Sequence, residues 1–112
     1  MAKYIWQYDP HSGGVTIPRH QYDEIKRRLM THIKVIAPNV TLEIKFRSQF
    51  CYINTLEDNQ SMPACRMRYF DKDVWSFAFY TYSNEKYEPC LLLSGNAQGT
   101  PEEILEACII YF

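Results

Sequence analysis

The run Val74-Trp75-Ser76-Phe77-Ala78-Phe79-Tyr80-Thr81-Tyr82 constrains this chain more than any other segment. Five of its nine residues are aromatic, and its start alternates bulky with small side chains. A strand sends successive side chains to opposite faces, and aromatics pack well on a pleated, half-buried surface. The run therefore predicts a strand near the centre of a sheet.

The rest of the chain must supply the partners of that strand. At 112 residues it is long enough for one domain. A hydrophobic share of 46% and an aromatic share of 15% are enough for a core, which excludes a disordered adaptor. The net charge of −1 gives no global basic field to draw in nucleic acid. The charge is uneven, however. Residues 1–48 hold eight Lys/Arg against four Asp/Glu, and residues 49–112 hold four against nine. A bipolar surface of this kind favours oriented association.

Residues 1–15 read as a separate arm before a single domain at 16–112. His11-Ser12-Gly13-Gly14 is a break, while Tyr4, Ile5, Trp6 and Tyr8 are too apolar for a solvated tail. The arm is expected to pack on its own domain or on a neighbouring chain. Met1-Ala2-Lys3-Tyr4 does not lead into an apolar core segment, as a secretory leader would. No run approaches the ~20 apolar residues of a membrane span. A cytoplasmic protein that does not enter the membrane is the expectation. Cysteines stand at 51, 65, 90 and 108, with no CxxC pair. Reduced, buried thiols are expected rather than a disulfide frame or a zinc site.

From Pro18 to Ala37 the period is helical. Tyr22, Ile25, Leu29, Ile33 and Ile36 form one apolar stripe, Pro18 suits a first turn and Pro38-Asn39 stops the helix. The period then becomes two. Val40, Leu42, Ile44 and Phe46 alternate with Thr41, Glu43, Lys45 and Arg47. Ser48-Gln49 turns into a second strand, Phe50 to Thr55. Leu56 to Pro63 is polar and reads as a loop. A third strand, Cys65 to Phe70, turns at Asp71-Lys72-Asp73 into the aromatic fourth. Tyr87 to Leu93 is the fifth, with Pro89 suited to an edge because proline cannot donate to a ladder. Thr100-Pro101-Glu102-Glu103 opens a second helix with a capping-box pattern.

Short connections imply antiparallel neighbours. The fold prediction is α+β: a four- to five-stranded antiparallel meander, an N-terminal helix on one face and a short C-terminal helix. The turns set Phe46 opposite Cys51, Lys45 opposite Tyr52, Tyr69 opposite Trp75, Arg68 opposite Ser76 and Met67 opposite Phe77. One face then gathers Leu42, Ile44, Phe46, Cys51, Ile53, Cys65, Met67, Tyr69, Trp75, Phe77 and Phe79, which is a core for the first helix to cover. The other gathers Lys45, Arg47, Phe50, Tyr52, Arg66, Arg68, Phe70, Ser76, Ala78, Tyr80 and Tyr82.

That second face mixes cations with rings, and three readings compete for it. The second helix or the arm covers it, or its tyrosines lie flat in water. It is a protein interface, since Tyr, Phe and Arg are enriched at interface cores. It is a nucleic-acid platform, with rings stacking on bases and cations on phosphates.

Catalytic patterns are weak. The order helix, strands, helix is similar to the double-stranded-RNA-binding fold in topology alone, and Glu102, Glu103 and Glu106 stand where that fold needs cations. Gly95-Asn96-Ala97-Gln98-Gly99-Thr100 lacks the lysine of a phosphate loop. His11, His20 and His32 show no nucleophile beside them, and His32 reads as packing. Asp71 and Asp73 suit a tight turn.

The segments Phe46-Arg47-Ser48-Gln49-Phe50-Cys51-Tyr52-Ile53, Cys65-Arg66-Met67-Arg68-Tyr69-Phe70, Trp75 to Glu88 and Gly99-Thr100-Pro101-Glu102-Glu103 resemble a family of short uncharacterised bacterial proteins, common in cyanobacteria. The likeness covers residues 16–112. Its members tend to carry Gly where this chain has Ser48. It implies a bacterial, cytoplasmic setting and supplies no activity, substrate or partner.

The reading that results is a non-enzymatic protein-interaction module. It associates with itself through Lys45, Arg47, Phe50, Tyr52, Arg66, Arg68, Phe70, Tyr80 and Tyr82. RNA binding on the same face is the alternative, and a small enzyme of unknown substrate is the third. No cofactor, metal or membrane partner is expected.

Overall fold

A computed structural model describes residues 13–109. Five strands form one sheet in the order β1-β2-β3-β4-β5: β1 Leu42–Arg47, β2 Phe50–Glu57, β3 Gln60–Asp71, β4 Val74–Thr81 and β5 Lys86–Cys90. Every neighbouring pair is antiparallel. A 3₁₀ turn at Arg19–Gln21 leads into α1, Tyr22–Ile36, and α2 spans Pro101–Cys108. The architecture is the expected α+β meander with two helices, and the aromatic run is β4, one strand from the edge.

The five cross-strand pairs expected from the turns are all present. The Ser48-Gln49 turn is made without glycine: Ser48 takes a φ of 56°, a left-handed backbone that Gly would hold more cheaply. Its carbonyl accepts from Ile17 N at 3.0 Å, and Gln49 O accepts from Tyr69 N at 2.9 Å.

Two boundaries differ from the sequence expectation. The segment Leu56 to Pro63 is no loop. β2 runs on to Glu57 and β3 starts at Gln60, joined by Asp58-Asn59 with φ of 50° and 65°. Positive φ at both turn residues matches the twist of the flanking strands, and Asp and Asn tolerate it. Pro63 fits a strand because the register shifts beside it, with Ile53 opposite Cys65 but Asn54 opposite Pro63, so Ala64 is bulged. The β3–β4 ladder begins only at Cys65 opposite Phe79. Pro63 therefore interrupts no bond to β4. The fifth strand, in turn, stops at Cys90 rather than Leu93. Leu92 N donates to Asn96 O at 2.8 Å, which curls the chain away and leaves Leu91 and Leu93 exposed while Leu92 is buried.

The sheet's first face is the core. Leu42, Cys51, Ile53, Cys65, Met67, Tyr69, Trp75 and Phe77 form one cluster with Ile25, Leu29 and Ile33 of α1 and Ile104, Leu105, Ala107 and Cys108 of α2. Both helices therefore lie on the same side. Trp75 is fully buried, and its Nε1 donates to Lys72 O at 3.1 Å. Phe46, partly buried at the margin, stacks on Tyr22 with centroids 4.2 Å apart.

The helices are also tied by charge. Arg28 of α1 donates to Glu102 of α2 through Nε at 2.8 Å and Nη2 at 2.6 Å, and its Nη1 lies 2.8 Å from Asp73. Two carboxylates on one guanidinium raise the Arg28 pKa still further, and Arg28 holds the Glu102 carboxyl below the usual range. The start of α2 follows its sequence signature. Thr100 Oγ1 accepts from Glu103 N at 3.2 Å and Glu103 Oε1 accepts from Thr100 N at 3.0 Å.

Candidate functional site: the aromatic and arginine face of the sheet

The sheet's second face carries neither helix. Its residues fall into rows set by the register. One row crosses all five strands: Lys45, Tyr52, Arg66, Ala78, Pro89. Beside it runs Arg47, Phe50, Arg68, Ser76. On the other side, Glu43, Asn54 and Pro63 stand in line, and at β4–β5 Tyr80 pairs with Tyr87.

Period-two alternation brings the rings into contact. Phe50 meets Tyr52 at 6.0 Å between centroids, Tyr52 meets Tyr87 at 5.9 Å, Tyr87 meets Tyr80 at 5.2 Å and Tyr80 meets Tyr82 at 4.9 Å. Three of these contacts are edge-to-face, the arrangement that aromatic quadrupoles favour. The Arg66 guanidinium carbon lies 4.5 Å from the Phe50 ring centre and 4.9 Å from that of Tyr87. One cation thus bridges β2 and β5 across the face.

The expected residues do not all share one environment. Lys45 and Arg47 are exposed on β1, with Lys45 Nζ 3.5 Å from Glu43 Oε1. Glu43 also accepts from Ser61 Oγ at 2.6 Å and Asn54 Nδ2 at 3.3 Å, and these bonds lower its pKa. Tyr82 is 54% exposed, and its hydroxyl donates to Pro63 O at 2.6 Å. Arg68 departs from expectation. It does not sit open beside Tyr52, Tyr80 and Tyr82. It is 8% exposed, lies 4.8 Å from the Phe50 centroid and donates through Nη1 to Gly13 O at 2.7 Å.

The chain before α1 accounts for that burial at one end of the face. Val15 N donates to Tyr69 O at 3.0 Å. Gly14 passes so close that a side-chain carbon there would lie 3.0 Å from Arg68 Cγ and from Tyr69 O, and one at Gly13 would lie 3.3 Å from the Phe70 ring. Phe70 sits at the bulge of β3, where Tyr69 pairs with Trp75 and Asp71 with Val74. The expected arm at 1–15 is thus described at its last three residues; His11 and the aromatic residues from Tyr4 to Tyr8 lie outside the described residues.

Tyr87 belongs to this face and the sequence reading omitted it. The signal was available: a hairpin pairing Thr81 with Lys86 sets Tyr87 opposite Tyr80. Burial pushes the Tyr87 phenol up to about 12, with the neighbouring Tyr52 adding to it. Partial burial raises Tyr82 in the same direction.

The catalytic candidates do not converge. Asp73 serves the Arg28 clasp. His32 Nε2 lies 3.0 Å from Glu106 Oε1, a second tie between α1 and α2. These ties edge an open cleft of about 210 Å³ lined by Arg27, Arg28, Thr31, His32, Val35 and Glu102. Among the described residues no group of three or more His, Cys, Asp and Glu could hold a metal ion, and no helix is long and apolar enough to cross a membrane. Cys51, Cys65 and Cys108 are buried thiols. Burial raises the Cys51 pKa, and a hydrogen bond with Cys65 raises that of Cys108.

No family model, curated protein or solved structure matches the chain.

Proposed function

We propose that this protein is a non-enzymatic interaction module that associates with a second copy of itself through the aromatic and arginine face. The observation that carries this reading is Arg66 lying over both Phe50 and Tyr87 inside a continuous chain of ring contacts. A guanidinium set on rigid rings loses little freedom on binding, and Arg and Tyr are the residues most enriched at interface hot spots. Neither helix competes for the face, because both are committed to the core on the other side. The same rings could stack on the bases of RNA, but they pack edge-to-face on one another, and the chain's net charge is −1.

Light scattering of the wild-type chain and Arg66→Ala over a dilution series tests the proposal. The wild type is expected to pass from dimer to monomer on dilution, and Arg66→Ala to dissociate at several-fold higher concentration. Salt separates the two ligand classes. An interface of rings changes little with added salt, whereas RNA binding weakens with a log–log slope of about −0.7 per phosphate neutralised on a single strand. A wild type that is monomeric at every concentration and binds RNA with that slope overturns the self-association reading.

A further inference from the structure

We propose that Cys65 and Cys108 are a modification site, at which a peroxide joins the two thiols into a disulfide that pins α2 to β3.

The first observation is their contact. Cys65 stands on β3 between Ile53 of β2 and Phe79 of β4. Cys108 closes the last turn of α2. Both side chains are fully buried in the core cluster, and the Cys108 thiol is hydrogen-bonded to Cys65. Two cysteines bridge only where the backbone already holds their side chains together, and here two separate elements do so. The other thiols sit differently. Cys51 owes its raised pKa to burial alone, and Cys90 is half-buried at the end of β5 with its Sγ 3.6 Å from Leu91 O.

The second observation is how α2 is held. The box of Thr100 and Glu103 closes its first turn, and Arg28 and His32 of α1 reach Glu102 and Glu106. These ties run to its own start and to the neighbouring helix. The contact of Cys108 with Cys65 joins its last turn to the sheet.

The third observation concerns when the pair can react. The bond to Cys65, together with burial, holds Cys108 well above the usual thiol range, and the thiolate is the attacking form. The docked pair is therefore inert. With eight residues, α2 is marginal as a helix on its own and opens locally when it leaves the sheet. Cys108 then meets solvent. Its thiolate attacks the peroxide, the O–O bond breaks, a sulfenic acid forms, and the departing hydroxide takes up the thiol proton as water. A sulfenic acid is small enough for α2 to redock. Cys65 then attacks the Cys108 sulfur, the S–O bond breaks, and the hydroxide leaves with the Cys65 proton as a second water. Two thiols and one peroxide thus give one disulfide and two waters. The new bond joins segments far apart in the chain, which restricts the unfolded state and favours the folded one.

Peptide mapping tests this. The native full chain is treated with hydrogen peroxide, unfolded, alkylated without reduction and digested. The expected product joins the Cys65 and Cys108 peptides and lacks two hydrogen atoms, with Cys51 alkylated. The oxidised chain should unfold at higher urea than the reduced one, and dithiothreitol should reverse both changes. Thr100→Ala, which frees the start of α2, should speed cross-linking several-fold, and Cys108→Ser should abolish the cross-link at Cys65. Cys65 and Cys108 both alkylated after treatment overturns the proposal, since the pair is then core packing. So does Cys108 carried on to sulfinic acid without a cross-link, and so does a cross-linking rate that Thr100→Ala leaves unchanged. Where Cys108→Ser fails to fold, the wild-type peptide map decides alone.

Discussion

The two faces of this sheet are built from the same strands and the same alternation, yet they are held together in different ways. On the helix side, Met67, Cys51, Ile53 and Trp75 are sealed beneath α1 and α2, and their contribution is volume. On the other side, Arg66, Tyr52, Tyr80 and Tyr87 touch one another through ring edges and a cation, and each keeps part of its surface in water. One position along β3, from Met67 to Arg66, separates a sealed side chain from one that rests on rings at the half-exposed face. Buried volume and ring contacts are therefore interleaved residue by residue, not divided between regions of the chain.

The sharpest way to break this comparison is at Met67, fully buried between two arginines. Met67→Ala leaves a cavity and is expected to lower unfolding free energy by about 2–5 kcal/mol in urea titration. An unchanged midpoint would mean that the faces have been exchanged. Next in size, Thr100→Ala removes the cap of α2, one of the two helices on the core side. It should cost about 1 kcal/mol by the same titration. Arg66→Ala should then shift stability by no more than about 0.5 kcal/mol while weakening association as described above. A substitution that unfolds the protein there would show that the ring face is structural. A last effect is confined to alkali. Folded Tyr87 keeps its proton to about 12, whereas an unfolded tyrosine releases it near about 10. In that window the unfolded chain binds fewer protons, so stability falls as pH rises. Tyr87→Phe should flatten this fall in denaturation curves taken across the window, and wild-type phenolate absorbance should show one late-titrating group that the variant lacks.

What could be read from the chain beforehand follows from how local each signal is. The meander and the registers at Ser48-Gln49 and Asp71-Lys72-Asp73 were legible because a short turn fixes which residues oppose each other. Thr100 and Glu103 were legible because a cap is written within four residues. The β2–β3 hairpin was not: Ser61, Met62 and Pro63 look like loop residues, and only the bulge at Ala64 makes a proline there compatible with a strand. Leu91 to Leu93 misled for the opposite reason, as an apolar run in which Leu92 alone is buried. For the candidate face, the rings and cations were readable from alternation. The burial of Arg68 was not, because it depends on Gly13, whose approach is set by backbone geometry 55 residues away. The clasp of Arg28 on Glu102 spans 74 residues and leaves no periodic trace.

Pro89 carries a consequence for how this protein can assemble. A chain this rich in aromatics and β-structure risks growing by adding strands end on end, which yields fibres without limit. β5 is only five residues long, and Pro89 within it has no amide proton to offer an incoming strand. At the opposite margin, β1 alternates Glu43, Lys45 and Arg47 along its length. With both margins blunted, growth by strand addition is disfavoured at either end of the sheet, which leaves the flat of the sheet as the surface for the self-association proposed above.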